Sequence, residues 1–266
     1  LRAAAIEMEM AYSKATRLLK QAEGNLGFPL TTRSTGGRDG GGSVLTPEGK
    51  RWLRQYEAYR DACVKANQTL YRQFFPKPGC VIMASGLGKR FGGNKLMADF
   101  LGRPMIHRAL DATEGLFERR VVVTRHESVA ALCRERNVEV VLHDLPHRSD
   151  TVRLGLGALG EVDCCMFLPG DQPLLDRETV AMLLERWRET PDSIIRPVYE
   201  DTEGSPVIFP GWAFGELRNL PEGKGGGVVI RNHLHAVCRV SVTNPFELAD
   251  ADTPETLEIL RGLSHD

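Results

Sequence analysis

Val81-Ile82-Met83-Ala84-Ser85-Gly86-Leu87-Gly88-Lys89-Arg90-Phe91-Gly92-Gly93-Asn94-Lys95-Leu96 is the stretch around which the chain can be read. An apolar run stops abruptly in a loop where Gly86, Gly88, Gly92 and Gly93 are interleaved with Lys89, Arg90 and Lys95. Apolar residues followed at once by glycines predict a strand ending in a tight loop. Glycines let backbone N–H groups approach phosphate oxygens, and the cations neutralise them. The stretch therefore predicts a triphosphate cradle. A charged surface loop has a similar composition, so the flanking sequence has to decide.

Downstream, strand-like runs (81–84, 120–124, 139–142, 164–168, 193–196, 205–209 and 237–242) alternate with helical spacing (106–116, 128–135, 152–159, 177–188 and 212–220). Such alternation predicts an α/β domain over residues 79–266, with a mostly parallel sheet between two helical layers in the Rossmann-like manner. Ligands of such sheets sit beyond the carboxyl ends of the strands. The loops after Ala84, Leu168 and Val242 should then share a crevice.

The candidate chemistry lies in those loops. Pro169-Gly170-Asp171-Gln172-Pro173 delivers a carboxylate at a strand tip, suited to Mg²⁺, which takes one or two carboxylates plus substrate phosphates. Asp171 also reads as a turn residue. Asp250-Ala251-Asp252-Thr253-Pro254-Glu255 offers Asp252 as a second metal ligand or as a helix cap. His143–Arg153 could hold a base or ribose at a helix start, with Asp150 also readable as a cap. Gly204–Val207, with Ser205 and Pro206, and Gly223–Gly227, with Lys224 and Gly225, expose amides suited to a second anionic substrate.

Upstream lies a different module, residues 1–75. Leu1–Met8 and Tyr12–Glu23 have helical spacing, with Gly24 and Gly27 as stops. Short strands around Pro29–Arg33 and Ser43–Leu45 flank a glycine-rich tip at 35–42. Thr46-Pro47-Glu48 then opens a long helix: a cap, a proline in the first turn and an acid beside it. This module holds twelve Lys/Arg and seven Asp/Glu, leaving twenty-two and twenty-eight of the chain's 34 and 35 to the rest. A basic module joined to an acidic one suggests two tasks, the first with nucleic acid.

The whole chain, 266 residues and 42% hydrophobic, can bury a core in one large or two smaller domains. With no apolar run near membrane-spanning length, a cytoplasmic location and no membrane partner are expected. Six scattered cysteines, none in a C-x-x-C, read as reduced thiols.

Residues MAYSKATRLLKQAEGNLGFPL and TGGRDGGGSVLTPEGK resemble the N-terminal winged helix-turn-helix of ModE molybdate-responsive regulators. The resemblance implies DNA binding through Ser13, Lys14, Arg17, Arg33 and Arg38, and a homodimer. It also implies a helix before Leu1.

The second module resembles the MobA-like nucleotidyltransferases, and most closely the molybdenum cofactor cytidylyltransferases (MocA-like). The opening skeleton G-x-x-x-R-x-G-x-x-K is Gly86–Lys95, G-D-x-P is Gly170–Pro173, G-x-P-V is Gly204–Val207, and D-x-D-T-P-E is Asp250–Glu255. This implies transfer of a nucleotidyl group from CTP or GTP to molybdopterin cofactor, with a molybdenum hydroxylase as eventual recipient.

By the same resemblance Ala84, Ser85, Gly86, Gly88, Lys89, Arg90, Lys95 and Asp171 bind the nucleotide. Arg90, Lys95 and Asp171 serve catalysis, and Mg²⁺ sits on Asp171 and Asp252. Ser205, Pro206, Lys224 and Gly225 hold the second substrate. Three departures stand out. Ser85 replaces the usual Ala or Gly, Gly88 replaces a Ser, and only Glu222 could supply the acid expected beside Gly223. Two other readings remain: a regulator whose transferase-like part senses a ligand, and a transferase using GTP or another acceptor.

Overall fold

The computed structural model describes residues 1–33 and 42–264. The chain divides into two units, Leu1–Gln73 and Phe74–Asp266.

In the first unit, α1 (Arg2–Glu7) and α2 (Tyr12–Leu26) precede an antiparallel pair, β1 (Thr31–Arg33) and β2 (Ser43–Leu45), and a 28-residue helix, α3 (Pro47–Phe74). Helix α2 runs through Gly24 and stops at Gly27, whose φ of 76° suits a residue without a side chain. Glycine inside a helix costs about 1 kcal/mol, which a 15-residue helix absorbs. Glu23 fixes the path of the chain after this helix, since its carboxylate accepts the Leu30 and Thr31 amides at 2.8 and 3.2 Å. Thr46 caps α3, its hydroxyl accepting the Gly49 amide at 2.9 Å. Ser13, Lys14 and Arg17 are exposed on α2. Arg33 ends β1, whereas Arg38 and most of the glycine-rich tip lie outside the described residues.

The second unit contains β3 (Pro78–Ala84), a small hairpin of β4 (Asp99–Phe100) and β5 (Arg103–Pro104), α4 (Ile106–Thr113) and β6 (Arg119–Thr124). Next come α5 (Glu127–Glu135), β7 (Glu139–Leu142), α6 (Arg148–Leu159), β8 (Cys164–Pro169) and α7 (Arg177–Glu189). The chain continues through β9 (Ile194–Tyr199), β10 (Thr202–Glu203), β11 (Val207–Pro210), α8 (Phe214–Arg218) and α9 (Gly227–Asn232). It closes with β12 (Val237–Ser241) and α10 (Pro254–Leu263).

The main sheet has the order β10-β9-β11-β8-β3-β6-β7, with β12 also on β9. β3 pairs in parallel with β6 and β8, β6 with β7, and β12 with β9. β11 is reversed and lies antiparallel to both β8 and β9. The seven strands legible in the sequence all form, and their period-two alternation sorts the core. Cys80, Ile82 and Ala84 of β3 and Cys164, Met166 and Leu168 of β8 pack on α4, α5, α7 and α10. Val81, Cys165 and Phe167 pack on the opposite layer, built from α6, α8 and α9. Alternate side chains of a strand point to opposite faces, so two such runs of continuous burial require helices on both sides. Gly155 of α6 lies against β3 so closely that a Cβ there would come within 2.6 Å of Val81.

All six cysteines are free, and Cys80, Cys133, Cys164 and Cys165 are buried. Burial pushes the Cys133 thiol up to about 11, so it stays protonated at neutral pH. Among the described residues no helix is long and apolar enough to cross a membrane.

Candidate active site

Parallel pairing brings the ends of β3, β6, β7, β8 and β12 to one edge of the sheet, and the reversal of β11 adds its beginning. A cleft of about 540 Å³ opens there. Its walls come from Ser85–Arg90, from Arg125, from Leu145–Arg148 with Thr151, and from Asp171, Ser205, Asp250 and Asp252. The loop after β3 is thus the rim of a cavity.

The glycine-rich loop holds its shape through its own backbone. Gly88 has a φ of 59° and its carbonyl accepts the Phe91 and Gly92 amides, each at 3.0 Å. A Cβ on Gly88 would sit 1.9 Å from the Gly93 carbonyl oxygen. The serine usual at this point cannot be accommodated in this conformation, which explains the second sequence departure. His126 Nε2 lies 2.9 Å from the Gly86 carbonyl and donates to it, since a carbonyl can only accept.

At the floor, three carboxylates and two cations meet. Lys95 Nζ is ion-paired with Asp171 and, at 2.8 Å, with Asp252 Oδ1. Arg90 reaches the other oxygen of Asp252 at 2.6 Å. The loops carrying the carboxylates are tied together: Ala251 N donates to Asp171 O at 2.9 Å, and the buried Gln172 donates to Leu248 O at 3.1 Å. Burial pulls the Lys95 ammonium down, but Asp171 and Asp252 outweigh it and the net shift is upward. The hydrogen bond from Lys95, with Arg90 nearby, holds the Asp252 carboxyl below its usual range. Withdrawal from solvent, with Asp171 close by, holds Asp250 above it. With all five groups charged, the cluster carries a net single negative charge where a polyphosphate is expected. Two convergent carboxylates in a negative cluster fit a divalent cation that arrives with phosphate ligands. Among the described residues no group of three or more His, Cys, Asp or Glu side chains could hold a metal by itself.

Most residues expected to bind nucleotide line this cleft: Ser85, Gly86, Gly88, Lys89, Arg90 and Asp171. Two do not. Ala84 is buried in the core, its methyl pointing away from the loop and its carbonyl accepting from Thr124 Oγ1 at 2.9 Å. Lys95 is 9% exposed and lies beneath Asp171 and Asp252 rather than in the wall.

A second cavity of about 470 Å³ shares Met83, Arg148, Pro169 and Ser205 with the first. Arg148, Lys224 and Arg231 make it basic, Arg196 being ion-paired with Glu203, while Phe167 and Phe209 give it an apolar wall. Ser205, Lys224 and Gly225 line it as expected, but Pro206 is buried and lines neither cavity. Glu222 also lines neither. It is exposed and faces His147 Nε2 at 3.6 Å, so it does not replace the missing acid. Asp150 bonds the His147 amide at 3.0 Å as a helix cap. Arg148 falls in the stretch 143–153 singled out from the sequence, whereas Arg196 and Arg231 were not legible as site residues, since each sits in an ordinary strand or helix pattern.

The family model described as the MobA-like NTP transferase domain matches residues 80–237. A probable molybdenum cofactor guanylyltransferase of Aquifex aeolicus is 28% identical over 111 residues, 41% of this chain and 54% of that protein. A 3-deoxy-manno-octulosonate cytidylyltransferase of Halorhodospira halophila is 34% identical over 129 residues, 45% of this chain and 50% of its own. The chain spans about half the length of the curated relatives it matches. Among solved structures, Rv0371c of Mycobacterium tuberculosis shares the fold, with a TM-score of 0.61 and 20% identity over 70% of this chain and 98% of that one. The Rv0371c protein has also been solved as a complex with manganese.

Proposed function

The chain belongs to the MobA-like NTP transferase family, and from that premise we propose that it transfers a cytidylyl group from CTP to the terminal phosphate of molybdopterin cofactor. The observation carrying this reading is the pair of adjacent cavities with four lining residues in common, one rimmed by the glycine loop and floored by Asp171 and Asp252, the other basic and half apolar. A flat heterocycle bearing a phosphate matches the second cavity. The relatives include both a guanylyl and a cytidylyl enzyme, and a comparison of CTP with GTP decides the nucleotide.

An acceptor phosphate is already a nucleophile, so no Ser, Cys or His has to be activated. Its oxygen forms a bond to the α-phosphorus of CTP while the bond from that phosphorus to the β-phosphate bridging oxygen breaks, and pyrophosphate leaves. The protein contributes position and charge. Gly86 and Gly88 present backbone to the triphosphate. Arg90 and Lys89, at the cleft wall, neutralise the leaving pyrophosphate. Lys95 holds Asp171 and Asp252 at fixed spacing from below. Those two carboxylates would hold a divalent cation, Mg²⁺ or Mn²⁺, which supplies Lewis-acid neutralisation when bound. Arg148 and Lys224, both in the wall of the second cavity, orient the acceptor phosphate.

Pyrophosphate release with molybdopterin and Mg²⁺, measured in parallel for CTP and GTP, tests the proposal. Release with CTP above GTP supports it, and release with GTP alone replaces the nucleotide. Binding of either without turnover favours a ligand sensor.

For residues 1–75 the proposal is a DNA-binding, dimeric module, supported by exposed Ser13, Lys14 and Arg17 on α2 and by the β1–β2 pair before the long α3. Affinity for DNA carried by phosphate contacts falls steeply with salt. Binding that is absent or indifferent to salt removes this part.

A further inference from the structure

We infer that Arg148 is a catalytic residue: beyond holding the acceptor phosphate, its guanidinium reaches the α-phosphate of the nucleotide and neutralises the charge of the transfer itself. The inference rests on the nucleotide-transfer reading for the occupants of the two cavities.

Of the four residues that line both cavities, Met83, Arg148, Pro169 and Ser205, Arg148 alone carries a charge. The other lining cations are each confined to one side. Lys89, Arg90 and Arg125 line the glycine-loop cleft, whereas Arg196, Lys224 and Arg231 line the second cavity. In the transfer an acceptor oxygen must reach the α-phosphorus, so the reacting atoms meet beside the shared residues. Two anions approach to bonding distance there. The new bond forms from that oxygen to the α-phosphorus while the bond to the bridging oxygen breaks, and the non-bridging α-oxygens stay charged throughout. A guanidinium presents five N–H donors in a planar fork, which can serve two phosphates at once.

Local structure gives this cation no other task. Arg148 is the first residue of α6, and the amino end of a helix carries partial positive charge that disfavours a cation. Nearby carboxylates are engaged elsewhere. Asp150 accepts the His147 amide and pairs with Arg153 at 3.1 Å, and Glu222 faces His147. Arg148 is exposed, and among the described residues no ion pair or hydrogen bond holds its guanidinium. An uncompensated cation at a positive helix end is a local conflict that a bound anion removes, and such conflicts mark functional positions. Gly225 gives the side chain its room: a Cβ there would sit 3.1 Å from Arg148 Nε and 3.3 Å from its Cδ.

The experiment is steady-state pyrophosphate release by the full chain with molybdopterin, Mg²⁺ and whichever of CTP and GTP the wild type consumes. The wild type is compared with Arg148→Met, Arg148→Lys, Gly225→Ala and the double variant Arg148→Met with Gly225→Ala, each also melted without ligand. For Arg148→Met, kcat at saturation of both substrates should fall about a hundred- to a thousandfold, while the nucleotide KM stays within about threefold. Arg148→Lys keeps the charge without the fork and should recover part of the loss. Gly225→Ala pushes the guanidinium aside and should lower kcat about three- to tenfold, yet cost nothing further once Arg148 is Met. The melting temperature of Arg148→Met should be unchanged or slightly raised, since a cation leaves the positive end of α6. A kcat within about threefold of wild type, even with a raised acceptor KM, would confine Arg148 to acceptor binding and overturn the inference. A Gly225→Ala penalty that persists in the double variant, or a lowered melting temperature for Arg148→Met, would do the same. Each of these outcomes leaves the transferase reading standing. A wild type that releases pyrophosphate with neither nucleotide removes the transferase reading, and the inference with it.

Discussion

Replacing Lys95 by Met keeps the length of the side chain and removes its charge. In the native cluster this ammonium is ion-paired with both Asp171 and Asp252 and is almost wholly shielded from solvent. Breaking a buried ion pair from one side costs about 3–5 kcal/mol, since the remaining charges lose their partner. Asp252 keeps Arg90, and the two carboxylates are one-fifth and one-third exposed, so the lower end applies, about 3 kcal/mol. For a unit of this size that is a fall of about 6–12 °C in the melting transition.

The loss should depend on pH with a definite sign. Asp252 has its pKa lowered in the fold, so the stabilisation from Lys95 is present above the ordinary carboxylate range and lost as pH falls through the lowered value. The gap between Lys95→Met and wild type should therefore narrow on acidification below about pH 4. Mg²⁺ should raise the melting temperature of the variant more than that of the wild type, because a cation then meets three carboxylates with only Arg90 left to offset them. Calorimetric scans across pH, with and without Mg²⁺, measure both effects. A variant that melts with the wild type at pH 7 and ignores Mg²⁺ would refute the placement of Lys95 as the cation that holds the floor together.

Gly88→Ser restores the residue usual at that point, yet its Cβ would collide with the Gly93 carbonyl. Calorimetry should show nucleotide affinity falling at least about tenfold, equal to roughly 1.4 kcal/mol, in line with the strain of a side chain at positive φ. Gln172→Leu removes the bond to Leu248 that ties the two carboxylate loops, and pyrophosphate release should drop with a stability loss of about 1 kcal/mol by denaturant titration. Asp250→Asn should raise the melting temperature at neutral pH. A carboxyl whose pKa is raised in the fold destabilises it once ionised, and the benefit should vanish as pH falls into the carboxylate range.

The core was legible because sheet burial leaves a strong mark: runs such as Cys164–Leu168 have no reason to be apolar throughout unless both faces are covered. The carboxylate loops were legible because strand tips deliver them. Three things were not. The reversed direction of β11 leaves no trace in its own residues, and it is what brings Ser205 to the cleft. Lys95 reads as a phosphate ligand from its place in the glycine loop, but the 3-10 turn at Lys95–Met97 carries it under the carboxylates. Gly24 and Gly27 are equal stop signals locally; the contact of Glu23 with Leu30 and Thr31 selects the later one.

The two cavities are neighbours that share four lining residues, Met83, Arg148, Pro169 and Ser205. Under the proposed reaction, the compound formed when their occupants are joined fits both halves at once. It loses its translational freedom a single time, whereas the separate substrates lose theirs twice. Such a compound holds on more tightly than either part. Departure of the product would then govern turnover, and a downstream protein that draws it out would set the pace of the enzyme.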